Sequence, residues 1–167
     1  MNPRRLLWLL LPAAVLLLDW ASKVWIVNHL VLGGSRPILP GFFHLSLGYN
    51  PGFIFGSLGT AAAWVRTTLS VLAGVGAIGY FGYEFLRDGT LRAQRIGLGC
   101  IIGGALGNGL DRLQHGAVVD FLDFIFFGWR YPTFNIADSF IVCGAILWAL
   151  SYILANARQG KAAAGAE

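Results

Sequence analysis

Charge is what this chain has least of. Only 12% of its residues are Asp, Glu, Lys or Arg, against roughly 25% in soluble domains, while 56% are hydrophobic and the mean hydropathy is +0.66. So few charges cannot cover a water-facing surface, which excludes an ordinary soluble domain and points to a polytopic membrane protein of one domain. The net charge of +4 is spread in short clusters, too thin for a nucleic-acid surface and suited to topology determinants. Cysteine is nearly missing. Cys100 and Cys143 fall inside apolar helical runs, where they read as small buried side chains rather than a disulfide, and no spacing suggests a metal site. His29, His44 and His115 are scattered without an HExxH motif, which excludes the common zinc-peptidase pattern. No GxSxG occurs, and Ser22 and Ser139 have no evident histidine partner, which argues against a serine nucleophile. Gly107-Asn108-Gly109-Leu110-Asp111 has the wrong spacing for a GxGD intramembrane aspartyl site, and no internal repeat is visible.

Long apolar runs are what the chain has in abundance. Residues 6–30, 61–86, 96–110 and 134–155 read as four transmembrane helices, since about 20 apolar residues cross about 30 Å of hydrocarbon. The first run is too long for a signal peptide, contains Asp19 and Lys23, and is followed by no small-residue cleavage site, so it is expected to stay in the mature protein. Residues 33–56 carry Gly, Pro and short alternating segments such as Phe42–His44–Ser46, the pattern of a small extramembrane β element. The fold class expected is thus an all-α membrane protein with a small β element. Residues 111–133 form a polar, aromatic connector, and 156–167 a small polar tail expected to be disordered. Arg4, Arg5, Arg87, Arg92, Arg95, Arg158 and Lys161 fall on one side of this arrangement. Arg36, Arg112 and Arg130 fall on the other, with Arg66 near it. The positive-inside rule puts both termini in the cytoplasm and both connectors outside. Phe121, Phe124, Phe126, Phe127, Trp129 and Tyr131 suit a loop lying at headgroup level.

The acids are distributed unevenly. Asp111, Asp120, Asp123 and Asp138, half of the eight in the protein, lie between Gly103 and Ile141. Carboxylates next to hydrocarbon are costly and are usually functional. Asn50, Asn108, Asp111, Arg112, Asn135 and Asp138 all map to one level, the outer edge of the bilayer, and such convergence has the shape of an active site. Asp19 and Lys23 stand at i, i+4 on the first span and read as an ion pair holding it to the bundle. Two aspartates in contact cannot both ionise, so they share a proton. One can act as base toward water while the other protonates a carbonyl, which hydrolyses an amide without metal or cofactor. Other readings stay open. Asp138, within a turn or two of a helix start, suits an N-terminal cap. Asp123 reads as a solvated or headgroup-level acid. Asp19, Lys23, Asp111 and Asp138 could form the relay of a proton or ion carrier, or the loops could serve a non-catalytic lipid-binding assembly factor. The glycines at 97, 99, 103, 104 and 107 read as sites of close helix packing.

The segments DWASK (19–23), NPGFIFG (50–56), GGALGNGLDR (103–112), VVDF (118–121) and FNIADS (134–139) together resemble the sequence blocks of bacterial lipoprotein signal peptidase, signal peptidase II, in the family's order. The resemblance implies four transmembrane helices, an outward-facing β-cradle and an aspartic dyad in a bacterial inner-membrane enzyme. It implies as substrate a prolipoprotein whose cysteine carries diacylglycerol, cut on the amino side of that cysteine. The dyad then falls on Asp120 and Asp138. Asn50, Gly52, Asn108, Arg112 and Asn135 fall on positions that contact substrate or hold the site, Asp19 with Lys23 on a supporting pair, and Asp111 on a structural acid beside Arg112. Membrane lipid is the expected surrounding partner, and the expected state is a monomer. One departure stands out: Phe53 and Ile54 occupy the cradle loop where small residues are usual, which bears on the loop's shape and not on the chemistry.

Overall fold

The computed structural model describes residues 7–51 and 63–164. Gly52, Phe53 and Ile54, expected in the cradle, lie outside the described residues, as do residues 55–62. A short 3-10 turn, Leu7–Leu9, leads into helix α1, Leu10–His29. Pro12 is tolerated there because it sits in the first turn, where its missing N–H has no intrahelical acceptor to lose. Strands β1 (Ser35–Leu39) and β2 (Phe43–Asn50) follow, then helices α2 (Ala63–Leu86) and α3 (Arg92–His115). Strands β3 (Val118–Phe126) and β4 (Trp129–Arg130) precede the last helix, α4 (Ile136–Ala164). The expectation of a mainly helical protein with a small β element holds. Leu7–His29 and Ile136–Arg158 are long and apolar enough to cross a bilayer, with mean hydropathies of 1.7 and 1.9.

Helix α3 is the centre of the bundle, and α1, α2 and α4 all pack on it. Glycine makes this possible at a cost in helix propensity of about 1 kcal/mol each. A methyl at Gly97 would lie 2.6 Å from the Gly144 carbonyl of α4, and one at Gly103 would lie 2.7 Å from the Pro12 carbonyl of α1. Gly99, Gly104 and Gly107 are as crowded, so all five glycines sit where backbones or side chains meet closely. α3 ends on Gly116, whose left-handed φ of 69° places its N–H on the Arg112 carbonyl at 3.0 Å.

The four strands form an antiparallel sheet in the order β1-β2-β3-β4. Its second half lies within residues 111–133, where the sequence shows only a polar, aromatic connector. Val118–Phe126 is buried on both faces over most of its length, so the period-2 alternation that announces a half-buried strand is absent. β3 and β4 join through Phe127 and Gly128, with φ of 50° and 82°, the two left-handed positions of a tight hairpin. Ile26, Leu47, Val119 and Phe121 form the core, where the end of α1 meets the sheet.

The last helix corrects one expectation. Residues 156–164 continue α4 rather than forming a disordered tail. The segment Asn-Ala-Arg-Gln-Gly-Lys-Ala-Ala-Ala contains no proline and several strong helix formers, so extending a helix already nucleated costs little.

Candidate functional site

The start of α4 is held by side chains rather than by the backbone. A helix N-terminus leaves N–H groups without acceptors, and the segment Asn135-Ile136-Ala137-Asp138 supplies two of them locally. Asn135 Oδ1 accepts the Asp138 N–H at 2.9 Å, and Asp138 Oδ2 accepts the Asn135 N–H at 3.3 Å, a reciprocal capping pair. The capping reading of Asp138 is thus correct for one of its oxygens. The Ala137 N–H goes to Asp19 Oδ1 at 2.9 Å, across 118 residues of sequence. Asp19 therefore caps a helix other than its own.

Asp138 keeps its second oxygen for the interior of the cluster, where Oδ1 accepts the Asn108 amide at 2.7 Å. Asp120 arrives from β3. Asn50, at the end of β2, donates to its Oδ2 at 2.9 Å, and Asn135 Nδ2 donates to its Oδ1 at 2.9 Å. β2 carries an irregularity between Leu45 and Gly48, where three steps along it match two along β3, and such a bulge re-aims the strand beyond it. Asn135 Nδ2 also approaches Asn108 Oδ1 at 3.1 Å and the Val119 carbonyl at 3.3 Å. Asn135, which is fully buried, thus contacts both acids and the amide between them. Burial and the negative charge of Asp138 push the Asp120 carboxyl up to about 6, against the opposing effects of its Asn50 and Asn135 hydrogen bonds and of Lys23.

Lys23 lies on the other side of Asn108. Its ammonium donates to Asp19 at 2.7 Å, Asp111 at 2.8 Å and Asn108 Oδ1 at 3.1 Å, so all three N–H groups are used. The structure brings Asp19 and Lys23 together as an ion pair and adds Asp111 to it. Asp111 pairs with Lys23 and accepts the Val119 N–H at 3.0 Å, and its charge also acts on Arg112, the next residue along α3. Arg112 donates to the Asn108 carbonyl at 3.1 Å and lies within electrostatic reach of Asp138 and Asp120.

Asp123 is also corrected. It is 0% exposed and pairs with Arg130 at 2.9 Å across the β3–β4 hairpin. Successive strand residues alternate faces, so Asp123 and Asp120 point in opposite directions, and Asp123 stays out of the acid cluster. Its burial left no trace in the sequence, although a basic residue seven positions later on a hairpin was the available sign.

A cavity of about 470 Å³ opens beside Asp138. Phe124, Phe126, Tyr131, Phe134, Val142 and Cys143 make it almost wholly apolar, with Asp138 in its wall. Phe124 stacks on Phe134 at 5.8 Å, and Tyr131 meets Phe134 edge-on at 5.8 Å. Sequence reasoning missed this slot. The alternate spacing of Phe124 and Phe126 was the sign that both rings share one face of a strand. The arrangement can hold an apolar chain against Asp138, which the amide network joins to Asp120.

Three relatives are each described as a lipoprotein signal peptidase. That of Serratia proteamaculans is 41% identical over 95% of this chain and 93% of its own length. That of Burkholderia vietnamiensis is 44% identical over 84% and 83%, and that of Neisseria meningitidis serogroup C 43% over 92% of each. Two solved structures, both described as bacterial membrane enzymes determined in meso, superpose with TM-scores of 0.79 and 0.77 at 28% identity. They cover 90% and 87% of this chain and 90% and 91% of theirs. Residues 11–154, running from the first turn of α1 through the spanning part of α4, match the family described as signal peptidase (SPase) II, and the chain belongs to that family of peptidases.

Proposed function

We propose that the chain is an aspartic endopeptidase of the bacterial inner membrane. It removes the signal peptide from diacylglyceryl-modified prolipoproteins, cutting on the amino side of the lipidated cysteine. The observation that carries this reading is the Asn135 bridge, which contacts Asp120 at 2.9 Å and caps with Asp138 at 2.9 Å. Two acids remote in sequence thereby share one buried amide network. Family membership and the names of the relatives support the substrate.

In this reading four helices cross the membrane, both termini are cytoplasmic, and the sheet end of the bundle faces outward as a β-cradle. The enzyme works as a monomer without a cofactor. The substrate's acyl chains stay in the outer leaflet, because drawing them into water would cost about 0.8 kcal/mol per CH₂. The apolar cavity beside Asp138 receives an apolar part of the substrate from the lipid side. The ionised member of the Asp120–Asp138 pair takes a proton from water, and the oxygen attacks the scissile carbonyl. The protonated member donates to the carbonyl oxygen. Collapse of the tetrahedral intermediate breaks the C–N bond, and the amine of the lipidated cysteine leaves with a proton. Asn50, Asn108 and Arg112 orient the groups around the pair.

The test uses purified protein in detergent with a diacylated lipobox peptide. Asp120→Asn and Asp138→Asn should each lower cleavage by about 10³-fold or more, as loss of a group acting in a catalytic unit does, with helicity retained and melting no lower than in the wild type. Appreciable cleavage by either variant would refute the pair, and failure of the wild type to cleave the diacylated peptide would refute the substrate.

A further inference from the structure

We propose that the tip of the β3–β4 hairpin, residues 126–129, is sunk into the outer leaflet beside α4 and thereby fixes the depth of the strand that carries Asp120. The inference takes from the proposed function only that α4 crosses a bilayer with Asp138 near its outer face. Both hairpins of the sheet turn at the end remote from Asp120. Phe43 pairs with Phe124 there, and the Ile125 N–H donates to the Phe42 carbonyl at 2.8 Å, which ties the β1–β2 turn to β3. This end of the sheet is apolar and unshielded. Leu39, Phe42, Phe126 and Trp129 are exposed, Phe127 is 109% exposed, and residues 126–129 carry no charge. A contiguous apolar patch of this kind marks a contact surface.

Two observations identify the partner as lipid. The first is depth. Phe124 and Phe126 face Val142 and Cys143 of α4 across the cavity beside Asp138, so β3 runs alongside that helix instead of projecting from its end. Ile136–Arg158 is long and apolar enough to cross a bilayer, and at about 1.5 Å per residue Val142 lies about 9 Å inside that segment. The tip follows directly on Phe126 and so reaches the boundary between headgroups and hydrocarbon. The second observation is the backbone. Phe127 has a φ of 50°, at a turn position that favours Asn, Asp or Gly. A bulky side chain is disfavoured there, and a wholly exposed ring gains nothing within the chain, whereas burial in lipid rewards it. Trp129 meets Tyr131 edge-on at 5.6 Å, a pair of amphipathic rings suited to the interface. Charge resumes at Arg130, whose exposed guanidinium, paired with Asp123 at 2.9 Å, suits the phosphate level.

The experiment uses the full chain in vesicles of phosphatidylethanolamine and phosphatidylglycerol and, in parallel, in detergent. A nitroxide on Phe127→Cys, in a chain whose exposed Cys143 is replaced by Ala, should collide in vesicles with oxygen more often than with an aqueous nickel chelate. Greater access to the chelate would place the tip in water and overturn the proposal. So would spin–spin broadening that places the tip against a second copy. Neither measurement needs cleavage, so both stand apart from the acid pair. Phe127→Asn relieves the left-handed position while removing the ring. It should melt in detergent no lower than the wild type and cleave a diacylated lipobox peptide there at the wild-type rate. In vesicles it should cleave about tenfold more slowly, the scale of a small displacement of reacting groups. Phe127→Trp should restore the vesicle rate. Equal losses in both media would mean that the ring touches the peptide, and an unchanged vesicle rate would mean that it sets no depth; either result overturns the proposal.

Discussion

The sheet end of the bundle holds two groups of carboxylates, Asp138 half-buried and the others buried, that are treated in opposite ways. Asp19 and Asp111 surround an ammonium, with Lys23 at 2.7 and 2.8 Å. Asp120 and Asp138 receive only N–H donors from Asn50, Asn108 and Asn135. Among the described residues no cation lies within ion-pair distance of either. A buried acid paired with a fixed cation is locked in place, since removing either partner leaves an uncompensated buried charge. An acid held by amides keeps most of its hydrogen bonds while its charge stays adjustable. The first arrangement suits structure, and the second suits a group that must gain and lose protons. Asn108 is the boundary, with its oxygen toward Lys23 and its amide toward Asp138.

The largest effect expected from this contrast is at Lys23. Lys23→Met leaves Asp19 and Asp111 facing each other without a counter-charge, and removing one partner of a buried pair costs about 3–5 kcal/mol. The variant should melt far below the wild type in the same detergent, whereas Asp120→Asn and Asp138→Asn should not. Wild-type melting of Lys23→Met with lost cleavage would move the cation from the structural group to the chemical one.

The pH dependence of stability sharpens the contrast further. Asp120 sits at about 6 in the fold against 3.8 for the ordinary side chain, so the folded state holds its proton more firmly than the unfolded state. Below about pH 4 the residue is protonated in both states and contributes nothing. Between about pH 4 and 6 the unfolded state gains by ionising, and above 6 the penalty on the fold is complete. It is on the order of 2–3 kcal/mol. Asp120→Asn should therefore melt above the wild type at pH 7 and converge with it near pH 4. A wild type whose excess fall between pH 4 and 6 persists in Asp120→Asn would assign that titration to another acid.

Much of this was legible in the residues and some was not, for identifiable reasons. The helices announced themselves because apolar runs of this length have few alternatives. The pairing of Asp19 with Lys23 followed from i, i+4 spacing alone. The reach of Asp19 to the Ala137 N–H did not, because it depends on α1 and α4 both lying against the glycine face of α3. A β-carbon at Gly107 would run into the Asp19 carboxylate, so that glycine makes room for the acid, a role no helix-packing pattern distinguishes. Asp111 beside Arg112 was legible as a structural acid, but its short contact with Lys23, from a different helix, was not. Asp123 looked like a surface acid because its strand alternates too little to reveal which side is buried.

The smallest effect expected separates Asn50 from the bridging amides. Asn135 contacts both acids and Asn108 at once, whereas Asn50 donates to Asp120 Oδ2 at 2.9 Å from the end of β2. Its hydrogen bond favours the ionised carboxylate and opposes the upward push of burial. Asn50→Ala removes that support, so Asp120 should hold its proton to higher pH. The acid limb of the pH–rate profile should shift upward by up to about one unit, with cleavage down by about tenfold near pH 5 and only about twofold near neutrality. Raising the pH should recover part of the loss, a signature that a merely loosened loop would not give. A pH-independent fall in cleavage would mean that Asn50 acts on the substrate rather than on the acid.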